Sequence, residues 1–139
     1  MDRTLALIKP DATANRQAGA IIQRIEQAGF RIQAMKTVRL TRAEAEGFYA
    51  VHRDRSFFSS LTEFMSSGPI VALALEAPEA IKKWRTVMGV TDPAKADAGT
   101  IRKDFGTSIE RNATHGSDAA ETAAFEVGYF FAGVELAGE

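Results

Sequence analysis

The chain has no cysteine among its 139 residues. A disulfide framework and a thiolate zinc site are thereby excluded, and the composition agrees with a reducing cytosol. Its two histidines, His52 and His115, lie far apart and lack the spacing of a zinc or iron centre. No sign of charge dominates: 17 Lys and Arg face 18 Asp and Glu, for a formal net charge of -1. Without a basic excess no nucleic-acid partner is expected, and any phosphate site has to be a local concentration of cations. Long apolar runs are missing too. Asp2, Arg3, Lys9 and Asp11 interrupt the apolar start, so no signal peptide is expected there, and no segment is long enough to cross a bilayer. The expected location is cytoplasmic. With no repeat, linker or low-complexity segment, the length predicts one domain, 1–139, around a single core.

The elements follow from apolar periodicity. Residues 3–9 form a short apolar run stopped by Pro10, a strand covered on both faces that ends at a functional edge. Ala18, Ile21, Ile22, Ile25 and Ala28 recur at helical spacing, and Gly29 supplies the stop. Residues 30–40 alternate with period two, falter at Met35 and resume at Val38, as in a strand with one wet face and a bulge. Thr41 with Glu44 has the spacing of a capping box, predicting a helix to about Ala50. A second short helix is predicted over 57–65, then a continuous apolar strand over 70–75. Pro78 suits the first turn of a helix that runs to Met88. Residues 89–114 are rich in Gly, Pro and Asp and show little periodicity, so they read as a long loop of the kind that is functional or disordered. Asp118 with Glu121 predicts the start of a last helix, with Ala123, Val127 and Phe130 or Phe131 inward. The order is strand–helix–strand, a helical insertion, then strand–helix: an α+β sandwich. Its strands are too few and too unevenly spaced for a Rossmann sheet, and no glycine-rich phosphate fingerprint follows the first of them.

Asn112-Ala113-Thr114-His115-Gly116-Ser117-Asp118 carries the strongest chemical signal. A neutral imidazole is a nucleophile that needs no strong base. Gly116 is expected to clear room for a bulky electrophile. Glu126, about two turns into the following helix, is placed to orient the ring. Lys9 at the end of a buried strand either snorkels to solvent or meets an anion. Arg85 and Arg102 matter collectively, because guanidinium groups clamp phosphate oxygens in pairs. Phe57 either packs inward or offers its face to a base. His52 reads as a solvated or capping residue.

Taken in order, these residues resemble the nucleoside diphosphate kinase family from Thr4 to about Phe131. The most specific piece is Asn112-x-x-His115-Gly116-Ser117-Asp118. Ile8-Lys9-Pro10-Asp11, Phe57-Phe58 after Asp54-Arg55, Ser67-Gly68-Pro69, Met88-Gly89-x-Thr91-x-Pro93 and Gly99-Thr100-Ile101-Arg102 support it. The resemblance implies a ferredoxin-like sandwich, with helices on the faces of a four-stranded antiparallel sheet. It also implies ping-pong transfer of a γ-phosphate from a nucleoside triphosphate, usually ATP, to a nucleoside diphosphate through phosphohistidine on His115. Glu126 and Ser117 would fix the ring, with Tyr49 near Lys9 and the histidine. Arg85, Thr91 and Arg102 would hold phosphates, Lys9 and Asn112 the ribose hydroxyls and phosphate, and Phe57 the base. Mg²⁺ would bridge phosphate oxygens with few protein ligands. A homo-oligomer built from dimers, tetramer or hexamer, is implied.

The chain departs from that pattern at Ser56 (commonly Pro), Ala12-Thr13 (Gly-Val), Asp92 (Asn) and Ala98 (Pro), none of them in the proposed catalytic set. Asp92 is expected to weaken nucleotide binding slightly. The other use of such a sandwich is as a non-catalytic binding module, for RNA or for small regulatory ligands; for RNA, Leu5, Leu7, Val71 and Leu73 offer no stacking aromatics.

Overall fold

The structure, a computed structural model, describes residues 1–136, so the C-terminal Glu139 lies outside the described residues. The elements are β1 (Asp2–Ile8), α1 (Pro10–Ala14), α2 (Ala18–Gln27), β2 (Arg31–Val38), α3 (Arg42–Phe48), α4 (Phe58–Met65), β3 (Ile70–Ala77), α5 (Ala80–Met88), α6 (Ile101–Phe105), β4 (Thr114–Gly116) and α7 (Ala120–Phe130). Short 3₁₀ turns cover Ala50–His52, Pro93–Lys95 and Gly133–Glu135. All pairings in the sheet are antiparallel, in the order β2-β3-β1-β4. This is the ferredoxin-like α+β sandwich that the resemblance implies.

The two apolar runs become the central strands because both their faces are covered. On one face, Ala6, Ile8, Leu73 and Leu75 pack against Ile21 and Ile25 of α2 and Trp84 and Met88 of α5. On the other, Leu5, Leu7, Ala72 and Ala74 pack against Phe48 of α3, Phe64 and Met65 of α4, and Val127 and Phe130 of α7. Helices thus cover both faces of the two central strands.

Local chemistry explains most boundaries. Gly29 ends α2 at φ 93°, which glycine adopts without a Cβ penalty. Thr41 Oγ1 accepts from Glu44 N (3.1 Å) and Glu44 Oε1 from Thr41 N (2.8 Å), the expected capping box. The bulge in β2 lies between Ile32 and Ala34, earlier than the predicted fault at Met35, and it turns Gln33 inward and Met35 out.

Several expectations need correction. Pro78 precedes α5 rather than sitting in its first turn; the helix starts at Ala80, after Glu79 in left-handed conformation at φ 49°. The presumed long loop contains α6 and a 3₁₀ turn, each begun by a side-chain cap: Thr100 Oγ1 accepts from Lys103 N, and Asp92 Oδ1 from Ala94 N. Asp92 thus has a structural task at the departure from the family pattern. Asp118 does not cap α7. Ala119 takes that position, and its N–H donates to Thr122 Oγ1 at 2.9 Å.

Candidate active site

His115 sits at the centre of β4, opposite Leu7 of β1. Its Nε2 lies 2.9 Å from Glu126 Oε1 on α7. The same oxygen accepts from Ser117 Oγ at 2.8 Å, and Leu5 N donates to that hydroxyl from β1 at 3.2 Å. Phe48 and Tyr49 meet the imidazole edge-on, with centroids at 5.4 and 6.0 Å. Trp84 Nε1 donates to the His115 carbonyl at 3.1 Å. Two helices, a neighbouring strand and an aromatic wall therefore fix one ring, and the expected partnership with Glu126 and Ser117 is present in the geometry.

Gly116 has a packing role in addition to the one expected. A Cβ there would stand 2.5 Å from Trp84 Cδ1 and 2.7 Å from Met88 Cε. The absent side chain admits the indole of α5 against β4, and it is this packing that requires glycine.

The cations gather around the turn before β4. Lys9 is buried, and its ammonium donates to Asn112 Oδ1 at 2.9 Å and to the Glu110 carbonyl at 3.2 Å. Burial, with repulsion from Arg102 and partial compensation by Asp11 and Glu110, pulls its pKa down to about 8. Asn112 Nδ2 donates to the Thr91 carbonyl at 3.1 Å, so one amide links Lys9 to the Thr91 segment. Arg102 donates through Nη1 to Gly89 O (3.1 Å) and through Nη2 to Thr114 O (2.9 Å). Its Nε is buried with no hydrogen-bond partner among the described residues. Burial and the neighbouring Arg85 charge lower its pKa to about 10, so it stays cationic at neutral pH. Arg85 is more exposed and pairs with Asp118 at 2.8 Å. Arg85, Thr91, Arg102, Gly116 and Asp118 line one end of a cleft of about 970 Å³. That cleft reaches Gly116, one residue from His115.

Tyr49 is buried beside His115, and its hydroxyl has no hydrogen-bond partner among the described residues. Burial first, then the Glu126 charge, pushes its pKa well up, which keeps it a neutral phenol. Phe57 is 40% exposed at the head of α4. The Arg55 guanidinium lies 5.4 Å from its ring centroid and the His52 ring 5.6 Å away. His52 is thus an aromatic neighbour of Phe57.

Three further residues carry little signal in the sequence. Asp118 reads as a helix cap yet binds Arg85. Asp11 enters the sequence reading only within Ile8-Lys9-Pro10-Asp11, yet it accepts from Ala113 N across the fold at 3.1 Å. Ile109 lies in a stretch without periodicity and is 61% exposed. Its loop is tied to α4 by Ser60 Oγ donating to Glu110 Oε2 (2.7 Å) and by Arg111 over the Phe64 ring (4.7 Å). Among the described residues, no three of His, Cys, Asp or Glu converge as a metal cage.

An imidazole held by a carboxylate beside a cleft walled by arginines, on a ferredoxin-like sheet, has the parts of a phosphotransferase. Comparison with known proteins defines which kind. The sequence model described as nucleoside diphosphate kinase matches residues 2–136. The nucleoside diphosphate kinase of Syntrophotalea carbinolica is 61% identical over 98% of this chain and 99% of its own. That of Geotalea daltonii is 57% identical over the same shares, 98% and 99%. A crystal structure of the Aquifex aeolicus nucleoside diphosphate kinase superposes with a TM-score of 0.95 at 46% identity, covering 97% of this chain and 98% of that one. A halophilic nucleoside diphosphate kinase from Halobacterium salinarum, in complex with CDP, gives 0.95 at 35% identity over 99% and 92%. The chain belongs to the nucleoside diphosphate kinase family, and its activity is that of a phosphotransferase of this kind.

Proposed function

We propose that His115 carries the phosphoryl group between nucleotides in two half-reactions. The supporting observation is the 2.9 Å contact between His115 Nε2 and Glu126 Oε1. A carboxylate only accepts hydrogen bonds, so Nε2 carries the ring proton and Nδ1 keeps its lone pair. Nδ1 attacks the γ-phosphorus of a nucleoside triphosphate, usually ATP. The P–O bond to the β-phosphate breaks, and the nucleoside diphosphate leaves with that electron pair. A terminal oxygen of a second nucleoside diphosphate then attacks, the P–N bond breaks and Nδ1 recovers its lone pair. Glu126 balances the cationic ring while the P–N bond exists, and Ser117 keeps the carboxylate aimed.

Arg85, Thr91 and Arg102 bind the phosphate chain in this scheme. Asn112 and the Lys9 ammonium bind the ribose hydroxyls and the transferring group. Tyr49 packs the ring in place. The site neutralises charge on a phosphoryl group it positions, which is most of what such a transfer needs. Mg²⁺ would be held chiefly by the nucleotide itself, with Asp118 beside Arg85 the carboxylate able to face it, and would supply further neutralisation of phosphate charge. Phe57 forms one wall for the base and Ile109 the other. Stacking of this kind does not read base edges, which suits substrates of any base.

The same reading includes a cytoplasmic location and self-association of dimers into a tetramer or hexamer. Support for association comes from Met35 on the outer strand β2, 51% exposed, and Phe125 on α7, 54% exposed. Replacing His115 with Ala tests the scheme. Loss of both half-reactions is expected, together with parallel double-reciprocal plots for the parent enzyme. Intersecting plots, or exchange that survives the substitution, would exclude a covalent intermediate on this residue.

A further inference from the structure

The turn that delivers the catalytic strand is strained at Ala113. This fully buried, non-glycine residue has φ 73°, in the left-handed region that alanine enters only at a cost of about 1–3 kcal/mol. Thr114 N donates to Asn112 O at 2.9 Å, two residues back, which closes a γ-turn around it. Such a conformation persists only where its surroundings over-determine it. Here both polar groups of Ala113 are captured from the far end of the sequence. Its N–H donates to Asp11 Oδ2 at 3.1 Å, and its carbonyl accepts from Lys9 N at 2.8 Å.

The neighbours of Ala113 are the groups that seat buried Lys9 and half-buried Arg102. Asn112 Oδ1 accepts from Lys9 Nζ, and Thr114 O accepts from Arg102 Nη2. His115 follows directly. A relaxed φ at residue 113 would swing these carbonyls and the histidine relative to one another. Asp11 Oδ1 is buried with no hydrogen-bond partner among the described residues. A carboxylate kept in so unfavourable a position has a task other than stability.

We propose that Asp11 is a positioning residue for phosphoryl transfer: it holds Ala113 in the left-handed conformation and thereby aligns Asn112, Thr114 and His115 with Lys9 and Arg102. The proposal rests on the reading of His115 as the phosphate carrier. Asp11 itself touches no reacting atom and acts through the backbone of Ala113. Its charge has a second effect, raising the proton affinity of Lys9 against the burial that lowers it.

The test is a double-mutant cycle of Asp11→Ala and Ala113→Gly in the full-length enzyme. Glycine adopts positive φ unaided, so it removes the need for the clamp. Asp11→Ala is expected to lower kcat by roughly 10- to 100-fold, the scale of a misplacement of about 1 Å. Ala113→Gly alone is expected to stay within about threefold of the parent, and the double variant to recover most of the lost kcat. Asp11→Asn retains an acceptor for Ala113 N–H, so it is expected to keep most of kcat while moving the alkaline limb of the pH profile to lower pH. A backbone HN–Hα coupling measured at residue 113 reads φ directly and does not depend on phosphotransfer. Unchanged coupling and kcat in Asp11→Ala would overturn the proposal, as would an equal loss of kcat in the Ala113→Gly background. If instead His115→Ala left exchange intact, the phosphate-carrier reading would fail while the coupling still reported on the clamp.

Discussion

Lys9 places an ammonium in the interior, and the two consequences of that burial run in opposite directions with pH. Its pKa is near 8 in the folded chain against an ordinary 10.5. Between those values the unfolded chain binds a proton that the folded chain does not, so this group's contribution to stability rises as pH climbs from about 8 toward 10.5. Phosphate binding runs the other way, since the ammonium is lost over the first part of that range. KM for a nucleoside diphosphate is therefore expected to rise from pH 7.5 to 9.5, an interval spanning a pKa of about 8, while the thermal midpoint is supported. Steady-state kinetics and thermal melts across it check both, with Lys9→Met as reference. A KM rise of the same size in Lys9→Met would assign the titration to another group. Glu126 is the other residue whose role is separable. Glu126→Gln keeps the size but removes the charge that balances the ring, and a loss of kcat of about 10²-fold with little change in KM is expected. Equal losses in both half-reactions, measured by single-turnover quench, would agree with a ring that is misaligned throughout the cycle.

At the scale of elements, the close approach of α5 to β4 depends on Gly116. Gly116→Ala pushes a methyl into Trp84, and a stability loss of about 1–3 kcal/mol is expected in urea unfolding. Trp84→Phe in the same background frees space and should recover part of that loss; no loss at all in Gly116→Ala would show that the indole moves aside cheaply. The longer elements were legible in the sequence for clear reasons. The α2 helix spans nearly three turns with Ile21 and Ile25 on its buried stripe, and the β1 and β3 runs are apolar on both faces because helices cover both. The Thr41–Glu44 box announces α3 through side-chain chemistry alone. What stayed hidden was short or tertiary. α1 and α6 have five residues each and β4 has three, too few for any period to emerge. Asp118 has the sequence spacing of a cap, but an arginine 33 positions away competes for it, and no local pattern reveals that. Gly116 illustrates the same limit: its need for a missing side chain is visible, while the group that fills the space is set by packing.

At the scale of the whole molecule, the topology explains why residues from both ends of the chain meet. The order β2-β3-β1-β4 sets the end of the first strand beside the last one, so Lys9 and Asp11 clasp the turn before His115 across about a hundred residues. Lys9 and His115 could be read from the ordered motifs and Glu126 from its place in the last helix, but their contacts depend on this pairing. The exposed apolar side chains of Met35 and Phe125 belong to this scale as well. Light scattering coupled to size exclusion is expected to return a tetramer or hexamer mass at micromolar concentration, and a monomer mass would refute self-association. The central claim, that His115 accepts the phosphate, is tested most directly by peptide mapping after a brief exposure to MgATP, with the protein kept at alkaline pH to preserve a P–N bond. The account predicts one phosphate, on His115, discharged on adding a nucleoside diphosphate and absent in His115→Ala. A phosphate on any other residue that turns over at the rate of the reaction would contradict it.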